Sequence, residues 1–290
     1  WKWHPDGGLI AGQSAWLDLN GERPNDVIVH APVTMVMQGG ASGGNASGGS
    51  RASALMYYRE LFTDVMAMLE DPRAYATGSM RDLSLSYLDM MALAQVLAGE
   101  VPVYLSANRS SDILNALGLA SEFGLSVILR GGAESWLVAD ELATHQIPVV
   151  VNPMRNAPYN FEQLGSRADT AHLLDQAGVP VIIATGDTHN SRLLRQYAGN
   201  AVRAGMAWES ALRSVTLTPA QAVGMADDYG SIEPGKVANL VVWTGDPFEF
   251  STRVRHVIIG GDQVSLESRQ TALFQRYRRL ESGVNRASTP

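Results

Sequence analysis

Short apolar runs alternate with longer amphipathic stretches along the middle of the chain. The runs predict strands at residues 101–105, 126–129, 148–151 and 179–184, and the stretches after them predict helices at residues 111–122, 134–144 and 167–177 and from residue 191 onward. Strands that are apolar throughout are typical of a parallel sheet covered on both faces. Because parallel strands joined by helices need crossover connections, the pattern predicts an α/β fold.

The region before residue 101 predicts one more candidate strand and two long helices. An apolar run at residues 27–37, which Pro32 breaks or bulges, is a candidate fifth strand. A stretch rich in glycine and serine follows at residues 39–50 and predicts an irregular loop, either a mobile lid or a surface insertion. Apolar residues then recur at three- and four-residue spacing over residues 52–69, which predicts a helix capped by Ser50, and a second helix is expected at residues 83–97.

The number of strand–helix units bears on the architecture. A complete (β/α)8 barrel takes about 250 residues, and four or five units supply only part of one. A doubly wound open sheet is the alternative, but no dinucleotide-binding fingerprint follows any of these strands. The sequence therefore favours the C-terminal part of a TIM barrel over residues 1–225. Its first strands would come from sequence upstream of Trp1 or from a companion chain, and we expect an oligomer.

The pattern changes after the barrel region. Two short helices are predicted at residues 208–214 and 219–224, followed by a turn and a strand within residues 230–243. Residues 255–259 and 262–265 are expected to form a hairpin across Gly260-Gly261. Residues 226–266 thus predict a small β unit separate from the barrel, and residues 267–290 a C-terminal helix with a frayed tail.

Composition narrows the function classes. The formal net charge is -7, and no basic cluster occurs before residues 276–279, so a nucleic-acid partner is not expected. The chain has no cysteine, which excludes disulfides, zinc–thiolate sites and cysteine nucleophiles. No run of about 18 apolar residues occurs, so no membrane span is expected. A bacterial periplasm and a bacterial cytoplasm both stay open as compartments.

The strand at residues 179–184 ends in the most chemically promising stretch. Residues 186–190 read Gly-Asp-Thr-His-Asn, which places a carboxylate, a hydroxyl, an imidazole and an amide in consecutive positions. Active sites of parallel α/β proteins lie at the carboxyl ends of the strands. The alternative is an ordinary turn in which Thr188 or Asn190 caps the following helix.

Two C-terminal motifs closely resemble the signature of the amidohydrolase superfamily. They are Thr-Leu-Thr-Pro-Ala at residues 216–220 and Gly-Ser-Ile-Glu-Pro-Gly-Lys-Val-Ala-Asn-Leu-Val-Val at residues 230–242. Residues 8–14 and 132–136 also resemble the imidazolonepropionase-related members, so the resemblance covers almost the whole chain. It implies a metal-dependent TIM barrel followed by a β-sandwich completed from both chain ends. Residues 226–266 would then be a portion of that sandwich.

The resemblance also implies one or two divalent metals (Zn, Mn or Fe) that activate a water. Where the relatives carry His-x-His after one strand, this chain has Ser106-Ala107-Asn108, and where they carry a His before Gly, it has Arg130-Gly131. Serine and glycine supply no strong metal ligand and asparagine a weak one, so the residues here do not support the usual metal set. The family's first His-x-His pair would lie upstream of Trp1. Of its later ligands only the acid after the last strand remains, as Asp187, with His189 as a candidate replacement ligand.

The resemblance implies a catalytic role for Asp187, as general acid/base. His189, two positions later, is a candidate assisting group that orients a substrate carbonyl. The candidate substrate-binding residues at the mouth of the barrel are Asn108, Arg109, Arg130, Glu134 and Asn190. Arg109 could grip a substrate carboxylate or form a salt bridge between domains. Glu134, like Asp112, stands where an acid favours the helix dipole, which is an alternative role for both. The other histidines, including His4, show no ligand spacing.

These residues and the resemblance lead to two hypotheses about function, which belong to different classes. The first is a hydrolase that acts on carbon–nitrogen (non-peptide, amide or cyclic amide) bonds of a small-molecule substrate. The second is a catalytically inactive paralogue that binds a ligand or scaffolds an active subunit. A nucleotide-binding protein ranks below both, because the glycine-rich residues 7–14 lack the Gly-Lys-Ser/Thr ending of a phosphate loop.

Overall fold

The computed structural model of the protein describes residues 8–17, 23 and 27–278. The expected tail beyond residue 278 and His4 lie outside the described residues. By its internal contacts the chain divides into two compact units, Trp1–Ser231 and Ile232–Pro290.

A six-stranded sheet forms the centre of the first unit. The strands of this unit are β1 (Ile10–Gln13), β2 (Trp16–Leu17), β3 (Ile28–His30), β4 (Met35–Gln38), β5 (Val103–Ala107), β6 (Val127–Gly131), β7 (Val149–Val151) and β8 (Val181–Ile183). Strands β4 to β8 run parallel, each beside its predecessor, whereas β1 pairs with β4 in the antiparallel direction and β2 pairs with β3. The parallel sheet confirms the α/β fold and agrees with a partial TIM barrel. It also makes β4 the fifth parallel strand, with Pro32 between β3 and β4.

Helices connect the parallel strands and also follow the last of them. They are α1 (Gly40–Ala46), α2 (Arg51–Glu70), α3 (Pro72–Ala76), α4 (Tyr87–Leu97), α5 (Ser110–Phe123), α6 (Ala139–Thr144), α7 (Thr170–Gln176), α8 (Leu194–Arg203), α9 (Trp208–Ser214) and α10 (Leu217–Ala222). Short 3-10 helices occupy Ser135–Val138, Phe161–Gln163 and Thr188–Leu193. The predicted cap of α2 is confirmed, because the Ser50 side chain accepts a hydrogen bond from the Ser53 N–H at 3.0 Å.

The two faces of the sheet differ in their surroundings. Met35, Met37 and Val103 have no exposed surface and belong to the core between sheet and helices. Side chains alternate between faces along a strand, so Tyr104 lies on the opposite face from Val103. Tyr104 pairs in register with Ile128, two positions before Arg130, which places Tyr104 and Arg130 on the same face.

Residues 39–50 are not the irregular loop that their composition predicts. Most of them form α1, in which Gly43 and Gly44 are buried. A Cβ atom at Gly43 would lie 2.3 Å from the Gln38 carbonyl oxygen, and one at Gly39 would lie 2.5 Å from the Ser106 carbonyl oxygen. The glycines therefore allow backbone to pack directly on backbone. The loop prediction was wrong because low complexity does not distinguish flexibility from close packing.

The second unit contains a three-stranded antiparallel sheet with the order β11-β10-β9. Its elements are β9 (Leu240–Trp243), β10 (Val254–Ile259), β11 (Asp262–Val264) and the exposed helix α11 (Arg269–Arg278). The hairpin predicted across Gly260-Gly261 is confirmed, with positive φ angles of 60° and 93° at the two glycines. Within the residues that the structure describes, each helix is too short or too polar to span a bilayer.

Candidate active site

The carboxyl ends of β5, β6, β7 and β8 surround a cavity of about 110 Å³. It is lined by Tyr104, Asn108, Arg130, Gly131, Gly132, Ala133, Val150, Val151, Asn152, Arg155, Gln163, Ser166, Arg167, Thr170, Ala184 and Gly186. We call it the arginine cavity, because its lining residues include three arginines and no aspartate or glutamate.

Arg130 extends from the end of β6 over the face of Tyr104. Its guanidinium carbon lies 5.9 Å from the centroid of the Tyr104 ring, a distance at which a cation is attracted to the ring. Burial raises the pKa of the Tyr104 phenol, and the Arg130 charge offsets part of that rise. Tyr104 therefore stays a neutral hydroxyl at physiological pH.

The two other arginines differ in how firmly they are held. Arg167 forms an ion pair with Asp169, with Nη2 2.7 Å from Oδ2, and its guanidinium lies 4.6 Å from the Trp136 ring centroid. Arg155 is exposed and has no ion-pair partner among the described residues. A Cβ atom at Gly186 would lie 4.0 Å from Arg155 Nη2, so this guanidinium reaches toward the end of β8.

Two asparagines follow the strands that border the cavity. Asn152 holds the ends of β7 and β8 together, because its Nδ2 donates to the Thr185 carbonyl oxygen at 2.9 Å. Asn108 differs: its buried Oδ1 accepts no hydrogen bond from the described residues. A Cβ atom at Gly131 would lie 2.7 Å from this oxygen, so the glycine makes room for the Asn108 side chain.

Arg109 and Glu134 lie outside the lining of the cavity, and each has a structural contact. The Glu134 carboxylate accepts from the Ser110 N–H at 2.9 Å, at the start of α5. Arg109 pairs with Glu162, with Nε 3.1 Å from Oε1, and both residues belong to the first unit. The predicted role of Arg109 and Glu134 in binding a substrate stays a prediction.

Glu162 is also part of a larger ion-pair network at this edge of the sheet. Arg51 Nη2 lies 2.6 Å from the Glu162 carboxylate, and Arg51 Nε lies 2.9 Å from Asp112, whose side chain is only 3% exposed. Burial alone would raise the pKa of Glu162, but hydrogen bonds from Arg51 and the Ala41 N–H and the charges of Arg51 and Arg109 lower it below its ordinary value. Glu162 is therefore a charged structural group.

The stretch that the sequence singled out lies at the end of β8. Gly186 lines the cavity, the side chains of Asp187 and His189 are exposed, and Asn190 is half-buried. The Asn190 N–H donates to the Asp187 carbonyl oxygen at 3.1 Å, in the 3-10 helix that begins at residue 188. The N-terminal cap position belongs to Asp187, not to Thr188 or Asn190.

Of the candidate substrate-binding residues, the structure thus brings Asn108 and Arg130 together in the cavity wall, beside the backbone that leads into Asp187. Sequence reasoning missed Tyr104, Asn152, Arg155 and Arg167. Asn152 and Arg155 follow β7 directly, so the rule that drew attention to the end of β8 could also have found them.

The described residues do not fit a divalent metal. Among them, no group of three histidine, cysteine, aspartate or glutamate side chains comes together as a metal site would require. At two positions where the resemblance implies histidines, the Ser106 hydroxyl donates to Gln38 Oε1 at 2.8 Å and Arg130 brings a positive charge. No chemical step is therefore assigned to a metal here.

Comparison with known proteins gives matches to one superfamily. The model of the amidohydrolase family matches residues 135–264. The crystal structure of an amidohydrolase from Thermotoga maritima superposes with a TM-score of 0.80 at 27% sequence identity, covering 89% of this chain and 69% of that chain.

Curated relatives agree with that match. The amidohydrolase tasK of Hapsidospora irregularis is 25% identical over 189 residues, which are 63% of this chain and 19% of that protein. An imidazolonepropionase of Rhizorhabdus wittichii is 30% identical over 150 residues, which are 50% of this chain and 36% of that protein. The chain thus spans well under half the length of these two relatives. Together with the fold, the matches confirm the resemblance read from the sequence: the chain is similar to members of the amidohydrolase superfamily.

Proposed function

We propose that the protein is a hydrolase that acts on a carbon–nitrogen bond, of the non-peptide amide or cyclic amide kind, in a small-molecule substrate. The observation that carries the proposal is the arginine cavity at the carboxyl ends of β5 to β8, where the active sites of such barrels lie. Its wall includes Gly186, next to Asp187. The similarity to members of the amidohydrolase superfamily supports the same reaction class.

In this proposal Asp187 is the general acid/base. Its carboxylate takes a proton from the water that attacks the amide carbonyl carbon, and it gives that proton to the nitrogen as the carbon–nitrogen bond breaks. The products are a carboxylic acid and an amine, which remain joined in one molecule if the substrate is a cyclic amide. His189 lies two positions further along and orients the substrate carbonyl.

The test is turnover by the purified protein on a panel of N-acyl amides and lactams, with release of the amine as the measured signal. We expect Asp187→Asn to lower kcat by about 10²- to 10⁴-fold, the usual contribution of general acid–base catalysis. Glu122→Gln is the matched control, because Glu122 lies near the end of α5 and pairs with Arg59 at the surface. Unchanged kcat in Asp187→Asn would contradict the role of Asp187.

A catalytically inactive paralogue that binds or scaffolds is the second candidate. One observation supports it: the described residues contain no metal-binding group, and Ser106 and Arg130 stand where the resemblance implies histidines. The same panel separates the two functions. Absence of turnover on every amide and lactam by folded full-length protein would contradict the hydrolase and support the paralogue.

A further inference from the structure

We propose that the arginine cavity binds the carboxylate of an amide-containing small molecule, such as an N-acyl amino acid or a lactam carboxylic acid. The inference rests on the proposed function, which it deepens by naming the substrate class. It commits to a ligand with two features, an anionic group and an N–H donor. Each feature follows from a separate observation on the wall of the cavity.

The anionic group follows from the distribution of charge. The whole chain has a net charge of -7, yet the lining of this cavity holds three arginines and no acidic residue. Asp169 neutralises Arg167, but Arg130 and Arg155 have no ion-pair partner in the part of the chain that the structure describes. Two unpaired guanidinium groups facing one small space repel each other, and an anion between them would turn that repulsion into attraction.

A carboxylate suits these groups better than a spherical anion. A guanidinium presents parallel N–H donors that match the two oxygens of a carboxylate, and Arg130 is already held against the Tyr104 ring. The Arg155 guanidinium lies close to Gly186, so a carboxylate bound there would sit near the end of β8. The rest of such a ligand would then lie near Asp187.

The N–H donor follows from Asn108. Its buried Oδ1 can only accept hydrogen bonds, and none of the described residues donates one to it. Leaving such an oxygen without a hydrogen bond costs free energy. A carboxylate oxygen of the ligand could not donate one, and its negative charge would be repelled by the partial negative charge of the Asn108 oxygen. An amide N–H of the ligand would satisfy it. A carboxylate beside an amide N–H is the arrangement found in N-acyl amino acids and in lactam carboxylic acids.

Calorimetric titration of the full-length Asp187→Asn protein tests the anionic feature without turnover. The probes are N-acetylglycine, N-acetylalanine and pyroglutamate, each against its neutral primary amide. We expect each acid to bind at least about tenfold more tightly than its amide, and Arg155→Gln or Arg130→Gln to remove most of that preference. Arg59→Gln, which removes a surface arginine paired with Glu122, is the control and should leave the preference unchanged.

N-acetylsarcosine tests the N–H donor, because it keeps the carboxylate of N-acetylglycine but lacks the amide N–H. We expect it to bind several-fold more weakly than N-acetylglycine, and the difference to disappear in Asn108→Ala.

The inference would be overturned if the acids and their amides bound with equal affinity, or if none of the acids bound. It would also be overturned if the preference for the acids survived in both arginine variants. Tighter binding of inorganic phosphate than of every carboxylate would also overturn it. Because binding is measured without turnover, an anion preference in a protein that hydrolyses nothing would contradict only the proposed function. Hydrolysis of neutral amides without an anion preference would contradict only this inference.

Discussion

Arg51 and Glu162 lie 111 positions apart in the sequence, yet the Arg51 Nη2 atom donates to both carboxylate oxygens of Glu162 at 2.6 Å. The pair joins the first turn of α2 to the loop between β7 and α7. That loop also supplies Arg155, Gln163 and Arg167 to the wall of the arginine cavity. The position of the cavity wall therefore depends on an ion pair outside the cavity.

Replacing Glu162 by glutamine is expected to lower the free energy of unfolding by about 1–3 kcal/mol, because it removes charge-assisted hydrogen bonds from a largely buried carboxylate. Urea denaturation of the full-length protein measures the change. Glu122→Gln is the same substitution in an ion pair whose side chains are 48% and 41% exposed, and it should cost less than about 1 kcal/mol. Equal effects of the two substitutions would contradict a special role for Glu162.

The contribution of Glu162 should also depend on pH. The pKa of Glu162 is lower in the folded protein than its ordinary value, so the unfolded chain binds the proton more readily. The stabilisation is thus complete above the unfolded pKa of about 4.3 and is lost as the pH falls through the lower, folded value. The difference in stability between the protein and Glu162→Gln should be larger at pH 7 than under acid conditions. A difference that does not change with pH would contradict this assignment.

The contribution of Asp64 to the free energy of unfolding should also depend on pH. Burial would raise the pKa of Asp64, but hydrogen bonds from Ser84 and Arg81 and the charge of Arg81 lower it overall. Its Oδ2 accepts from the Ser84 N–H at 2.8 Å, which joins α2 to the segment before α4. Asp64→Asn should therefore destabilise the protein at neutral pH and lose that effect in acid. Unfolding curves at neutral pH and in acid measure the effect of Asp64→Asn on stability. An effect that persists in acid would show that the shape of the Asp64 side chain, rather than its charge, stabilises the fold.

The strand–helix order could be predicted because each parallel strand is apolar throughout and each helix carries its own periodic pattern. The cavity could be predicted only in part. Asn108 directly follows β5 and Arg130 lies near the end of β6, where local sequence is informative. By contrast, Glu134 contacts Ser110, 24 positions away, and Arg109 donates to the Phe161 carbonyl oxygen, 52 positions away. No local pattern encodes those partners.

The close packing of the α1 backbone at Gly43 against the Gln38 carbonyl group can be tested by adding a single methyl group. Gly43→Ala would place a Cβ atom 2.3 Å from the Gln38 carbonyl oxygen, so the backbone must move and we expect a loss of stability of several kcal/mol. Gly118→Ala is the matched control, because a Cβ atom at Gly118, inside α5, meets nothing within 4 Å. It should stabilise the protein by about 0.5–1 kcal/mol through helix propensity. Thermal melts of the two variants should shift in opposite directions, and a neutral Gly43→Ala would contradict the packing described for α1.

The hydroxyl of Tyr58 connects β1 to β4, and its removal tests that connection. Tyr58 is 2% exposed, and its hydroxyl lies 2.7 Å from the Leu9 carbonyl oxygen and accepts from the Gln38 N–H at 3.0 Å. Tyr58→Phe keeps the ring and leaves these buried groups with fewer partners, so it should cost about 1–2 kcal/mol in urea unfolding. Tyr57→Phe, at a side chain that is 50% exposed, should have almost no effect. Because the loss is local to the β1–β4 pair, the β1 amides should also exchange with solvent faster in Tyr58→Phe, and unchanged exchange would show that the hydroxyl does not hold β1 in place.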